Sequence, residues 1–129
     1  YDYIVDGSDN FKTKFLLNDF CFKFKKTLIT GAISKFDGHV FTFNFKNKDI
    51  PCLRCFFQES KISENLLNCE SEGILGTVAG IVGSIQANEV LKNILNIGKG
   101  LDGYIFILDM LNFNFRKVKL KKRKNCFCK

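Results

Sequence analysis

Six cysteines and one short acidic run carry most of the chemistry that this 129-residue sequence offers. Cys52 and Cys55 stand in Pro51-Cys52-Leu53-Arg54-Cys55. That C-x-x-C spacing suits a redox pair, one side of a disulfide framework, or two of four metal ligands. Cys126 and Cys128 form a second close pair near the other end. Four thiolates in two pairs suit a structural zinc ion, which takes tetrahedral sulfur ligands and pins distant segments together. A redox C-x-x-C opens a helix in a thioredoxin-like unit. This one follows a proline and is expected to lead into a loop, so zinc on Cys52, Cys55, Cys126 and Cys128 is the favoured reading. The C-x-C spacing of the second pair constrains its sulfurs differently from the first.

Asp6-Gly7-Ser8-Asp9-Asn10 follows an apolar run, Tyr3-Ile4-Val5, that reads as a parallel-type strand. Ligand sites in α/β sheets lie at the carboxyl ends of such strands. Two acids and an asparagine there suit a hard cation such as Mg²⁺, which takes one or two carboxylates and shares its shell with phosphate and water. Spacing alone favours a plainer role, with Ser8 or Asp9 capping the next helix. Cys69, in Asn68-Cys69-Glu70-Ser71-Glu72-Gly73, precedes a helix N-terminus whose dipole favours a thiolate. A nucleophile and an ordinary loop cysteine fit that position equally. Cys21 reads as core, and His39, ahead of a strand with no partner in view, receives no role.

The elements that must position these groups alternate in type. A helix is expected from Phe11 to about Lys25, with Phe15, Leu16, Phe20, Phe22 and Phe24 towards the sheet. Thr27 to Thr30 reads as a second buried strand closed by Gly31, and Asp37-Gly38 as a turn before the alternating strand from Val40 to Phe45. Gln58 to Asn68 has no clean period and reads as a mobile loop. Gly73 to Ile97 is the longest helical stretch. Gly73, Gly76, Gly80 and Gly83 each weaken it by about 1 kcal/mol relative to alanine, which implies close approach of another backbone. Strands from Tyr104 to Leu108 and Phe113 to Leu120 complete the order βα, β, β, α, β, β. This is an α/β domain with antiparallel additions. Its first strand starts as though in mid-sheet, as in a domain lacking its first half.

Length suits a single domain, and 46% hydrophobic content excludes a disordered chain. The formal charge of +7 rests on over-used lysine, which with Asn, Phe and Ile reflects A- and T-rich codons. Its densest cluster, Lys117, Lys119, Lys121, Lys122, Arg123 and Lys124, reads as gatekeeping along a strand edge in preference to a nucleic-acid patch. No signal peptide opens the sequence, and the longest apolar run falls short of the ~20 residues that span a bilayer. A cytoplasmic protein with neither nucleic-acid nor membrane partners is expected.

The order "DGSDNFKTKFLLND", "ITGAISKFDGHVFTF", "PCLRC", "NCESEGILGTVAGIVGSIQANEVLKNIL" and a terminal cysteine pair resembles the adenylyltransferases of the ubiquitin-activating-enzyme-like superfamily, nearest the MoeB/ThiF/HesA group. The resemblance covers nearly the whole chain but only the family's C-terminal half. It implies that residues 1–129 form one partial domain: the second half of a Rossmann-like adenylation domain, a mixed sheet with antiparallel strands added and a structural zinc site. By the same resemblance Asp9 places Mg²⁺ and ATP, with Asn10 beside it. Lys14 stands where the family usually has arginine, which keeps the charge but not the bidentate fork. The zinc cysteines are Cys52, Cys55, Cys126 and Cys128, and Cys69 matches the reactive cysteine that some members use. The implied reaction is ATP-dependent adenylylation of the C-terminal glycine of a ubiquitin-like sulfur carrier, for molybdopterin or thiamin synthesis. A homodimer and a sulfurtransferase partner are further implications. The family's glycine-rich nucleotide loop has no counterpart between a strand and a helix in this sequence. The alternative is a non-catalytic, zinc-stabilised carrier-binding module or a decayed fragment.

Overall fold

The computed structural model describes residues 1–58 and 73–128. Cys69 and most of the stretch expected as a loop lie outside the described residues. Strand β1 (Tyr3–Asp6) leads through helix α1 (Phe11–Lys23) to β2 (Thr27–Ser34), which pairs with it in parallel. Strand β3 (Asp37–Asn44) returns antiparallel to β2. A one-turn helix, α2 (Leu53–Phe56), and a long helix, α3 (Gly76–Leu95), precede β4 (Tyr104–Asp109) and β5 (Asn114–Lys119). The five strands form one mixed sheet in the order β1-β2-β3-β4-β5. The expected α/β order is therefore present, with α2 added where the C-x-x-C was expected to run straight into a loop.

Side-chain alternation divides the core between the two faces of the sheet. Phe41, Phe43 and Phe45 stack along one face at 5.8 Å ring spacing, against Phe15, Leu53 and the cysteines. Ile29, Val40 and Leu108 point the other way, onto Val78 and Val82 of α3. Both faces of β3 are therefore covered, and the half-buried strand suggested by its alternation is a central one. Thr42 tolerates this because its hydroxyl donates to Glu89 of α3 at 2.9 Å. Buried polar groups need such partners.

Several expectations are corrected. Leu16, Phe20 and Phe24 are more than half exposed; α1 buries Phe15 and Cys21, as expected, together with Lys14 and Asn18. The phenylalanine-rich composition hid which stripe faces inward. Helix α1 also ends two residues earlier than expected, at Lys23, where Lys25 adopts a positive φ. Strand β1 is only partly buried, with Val5 exposed. Gly31 does not close β2, and Asp37-Gly38 is not the turn: residues 35 and 36 turn, and His39 lies within β3.

Both strand positions are glycine because α3 presses on them. An added Cβ would stand 2.8 Å from Val82 at Gly31 and 2.5 Å from it at Gly38. At Gly76, Gly80 and Gly83 of α3 itself nothing lies within 4 Å, so the expected backbone approach is not there among the described residues. These sites predict opposite mutational signs. Gly38→Ala should destabilise by about 1–3 kcal/mol through overpacking, whereas Gly80→Ala should stabilise by up to about 1 kcal/mol through helix propensity. Urea unfolding midpoints check both.

No helix among the described residues is long and apolar enough to cross a membrane. Strand β5 is the last in the sheet and exposed throughout, which places Lys117 and Lys119 where edge lysines discourage further pairing.

Candidate metal centre and active site

Cys52 caps α2 and Cys55 lies in its single turn, so their sulfurs are 3.9 Å apart. The segment after β5 folds back to place Cys126 Sγ 3.5 Å from Cys52 and Cys128 Sγ 3.5 Å from Cys55. All four sulfurs are buried and lie within 4.8 Å of one another. A tetrahedral zinc with Zn–S bonds of about 2.3 Å has S···S edges of about 3.8 Å, close to the three shortest separations here, so this donor set fits a metal ion. The C-x-C spacing does not prevent closure, because Cys126 and Cys128 each lie against a different member of the first pair.

Electrostatics favour a cation at the centre. Burial pushes the Cys52 thiol up, and that of Cys128 up to about 12. Burial acts the same way on Cys55, but hydrogen bonds from the Arg123 and Cys52 backbone and from the Cys128 and Cys126 thiols together outweigh it and lower the thiol. Crowded thiols of this kind cannot all ionise unless a positive ion offsets them.

The groups around the sulfurs tie the knuckle to α1. Arg54, inside the C-x-x-C, donates two bonds of 2.8 Å to Asp19 and lies over the rings of Phe15 and Phe127 at 4.5 and 5.8 Å. Asn18 Oδ1 accepts the Leu53 N–H at 2.9 Å. Sequence reading missed Arg54, Asn18 and Asp19. An Arg between two cysteines and the polar pair Asn18-Asp19 amid apolar residues 15–17 and 20–22 of α1 were the available signals.

At the carboxyl end of β1 the two acids part company. Asn10, not Ser8 or Asp9, caps α1: its side chain accepts the Thr13 N–H at 2.8 Å. Asp9 is exposed, with Asn10 Nδ2 at 3.3 Å from its carboxylate. Asp6 is 2% exposed and turned inward, accepting from Ser8, Lys14 and Thr30. The expectation of two acids at one cation is corrected accordingly. Asp9 is free to offer a carboxylate outward, while Asp6 is fully engaged. The Lys14 ammonium is buried, on Asp6 Oδ2 at 3.0 Å and on the Gly31 carbonyl.

Burial pushes the Asp6 carboxyl up, but the Ser8 and Thr30 hydrogen bonds and the Lys14 charge outweigh it and leave the acid below its ordinary 3.8. Its stabilising contribution is complete above the unfolded value, near pH 4, and is lost as pH falls through the lower folded value. Urea midpoints between pH 6 and pH 2.5 should therefore fall more steeply for the parent chain than for Asp6→Asn.

Beyond these two sites, Glu89 is a buried carboxylate that accepts from Thr42 and from the Leu101 N–H at 2.7 Å and pairs with Lys92, which fixes α3 to the start of β4. His39 is partly buried, and burial lowers its pKa.

Sequence comparison finds a sulfur carrier protein adenylyltransferase of Thermus thermophilus that is 38% identical over 129 residues, covering 98% of this chain and 48% of the relative. An adenylyltransferase and sulfurtransferase MOCS3 of Drosophila persimilis is 38% identical over 127 residues, covering 98% of this chain and 28% of its own. The chain thus spans half or less of the length of these relatives. Among solved structures, E. coli MccB with ATP has the same fold, with a TM-score of 0.76 at 14% identity over 98% of this chain and 39% of that one. The sequence profile of the ThiF family matches residues 1–129, the full length given, and this chain belongs to that family.

Proposed function

We propose that this chain provides the cation-binding and metal-clasp part of an adenylyltransferase that activates the C-terminal glycine of a ubiquitin-like sulfur carrier. The observation that carries this reading is the outward-facing carboxylate of Asp9, at the carboxyl end of a parallel strand in a ThiF-family chain. The relatives, a sulfur carrier protein adenylyltransferase and an adenylyltransferase and sulfurtransferase, support the substrate class.

In this reading the carrier's terminal carboxylate attacks the α-phosphate of ATP. The bond from that phosphorus to the bridging oxygen breaks, pyrophosphate leaves, and a carrier acyl-adenylate remains. Two anions must be brought together, so placement and charge neutralisation dominate the barrier. Asp9 and Asn10 would hold Mg²⁺ and the nucleotide, with the buried Lys14–Asp6 pair close behind them. When bound, Mg²⁺ would draw off charge that develops on the phosphate oxygens. Cys69 is the candidate acceptor for a later acyl or sulfur transfer. Cys52, Cys55, Cys126 and Cys128 would hold a structural zinc away from the reaction. The glycine-rich nucleotide loop comes from a part of the enzyme other than residues 1–129, joined in cis or from a partner. A homodimer belongs to the same reading, by resemblance to the family.

ATP–pyrophosphate exchange tests this, with the nucleotide-loop half supplied. Exchange should require carrier, magnesium and both halves. Carrier binding without exchange, with both halves folded, would favour the non-catalytic module instead.

A further inference from the structure

The carboxylate of Asp6 has no site left for a ligand. Its Oδ1 accepts the Ser8 N–H at 2.8 Å and the Ser8 hydroxyl at 2.6 Å, and its Oδ2 accepts the Lys14 ammonium at 3.0 Å and the Thr30 hydroxyl. An ionised carboxylate offers about four lone-pair sites, and four donors occupy them. The same residue's backbone carbonyl accepts Gln86 Nε2 of α3 at 2.8 Å. Ser8 of the following turn, Lys14 of α1 and Thr30 of β2 therefore converge on one side chain, while Gln86 of α3 holds the backbone of the same residue.

The arrangement fixes the direction of the following residues. Double donation by Ser8 closes an Asx-type turn over Asp6-Gly7-Ser8. That turn carries the chain out of the sheet one residue before Asp9. Lys14 lies in the second turn of α1, and its bond to Asp6 spans eight residues, tethering the start of the helix to the end of the strand. Asn10 caps the helix between them. Asp9 is thus held between a turn that Asp6 closes and a helix start that Lys14 tethers.

We propose that the buried Asp6–Lys14 pair is a positioning device that aims the Asp9 carboxylate outward, and that Lys14 acts through Asp6 without touching nucleotide phosphates. This rests on the reading of Asp9 as a cation ligand. Groups that orient a metal ligand without touching the metal commonly change affinity by about 10–100-fold when replaced. A pair that served only as a fold brace would change stability and leave affinity alone.

Mn²⁺ is the probe, added to the isotope-labelled 129-residue chain, with paramagnetic broadening of the backbone amides as the readout. Broadening centred on Ser8 to Phe11 is expected for the parent, and its loss for Asp9→Ala. Asp6→Asn leaves the Lys14 ammonium buried without its counter-charge and is expected to unfold more easily. The double variant Asp6→Asn with Lys14→Met removes both charges and should recover most of the unfolding midpoint. It should still bind Mn²⁺ about tenfold or more weakly. Parent-like Mn²⁺ affinity in the double variant would overturn the positioning role while leaving Asp9 a ligand. Unchanged broadening in Asp9→Ala would overturn the reading of Asp9 and this inference with it.

Discussion

Replacing Cys52 by serine is expected to remove bound zinc and the cooperative unfolding transition together. Cys52 is fully buried and touches both pairs, with Cys55 at 3.9 Å and Cys126 at 3.5 Å. The residues after β5 form no helix or strand through Cys128. They are held by the sulfurs, by the Arg123 guanidinium on the Arg54 carbonyl at 3.3 Å, and by Phe127 against Phe22 at 5.1 Å. Structural zinc contributes roughly 10–16 kcal/mol of apparent binding energy in small domains, as large as the whole stability of a typical domain, about 5–15 kcal/mol. Arg54 extends the effect to α1 through Asp19 and Phe15, so the loss should not stay local. Metal content by mass spectrometry and a thermal melt check the two halves of the expectation. A Cys52→Ser protein that keeps a zinc ion on every chain would refute the clasp.

Asp9→Ala is expected to behave in the opposite way, leaving the melt unchanged and removing activity. The carboxylate is exposed, and the contact it makes with Asn10 is on the surface, so little stability rests on it. In carrier-dependent pyrophosphate exchange the variant should be slower by roughly 100- to 1,000-fold, the usual cost of losing one preorganised group at a developing charge. Carrier binding should be unaffected. An equal fall in stability and exchange would instead make Asp9 a fold residue.

The residues that sequence reading placed well are those governed by local pattern. Alternation in residues 40–45 located β3, and the apolar run with aspartate, serine and asparagine after it located the β1–α1 junction. The four cysteines could be grouped from spacing, and the fold brings them within one another's reach. What could not be read depends on which element presses on which. Gly38 looks like a turn glycine beside an aspartate, yet it pairs within the sheet with Ile33 and Leu108 and is glycine because Val82 leaves no room for a Cβ. The acids of Asp6 to Asp9 look equivalent in sequence. Lys14, Thr30 and Gln86, from three different elements, turn one inward and leave the other outward. Composition blurred α1 for a similar reason: with phenylalanine on every side, no apolar stripe marks the buried face.

Intact-mass spectrometry of the carrier tests the central claim most directly. The chain, the nucleotide-loop half, magnesium, ATP and a ubiquitin-like sulfur carrier are mixed for a single turnover and quenched in acid. The account predicts a carrier heavier by one adenylyl group, formed with the parent chain and not with Asp9→Ala. A carrier that co-purifies with the folded complex and yet keeps its unmodified mass would contradict it.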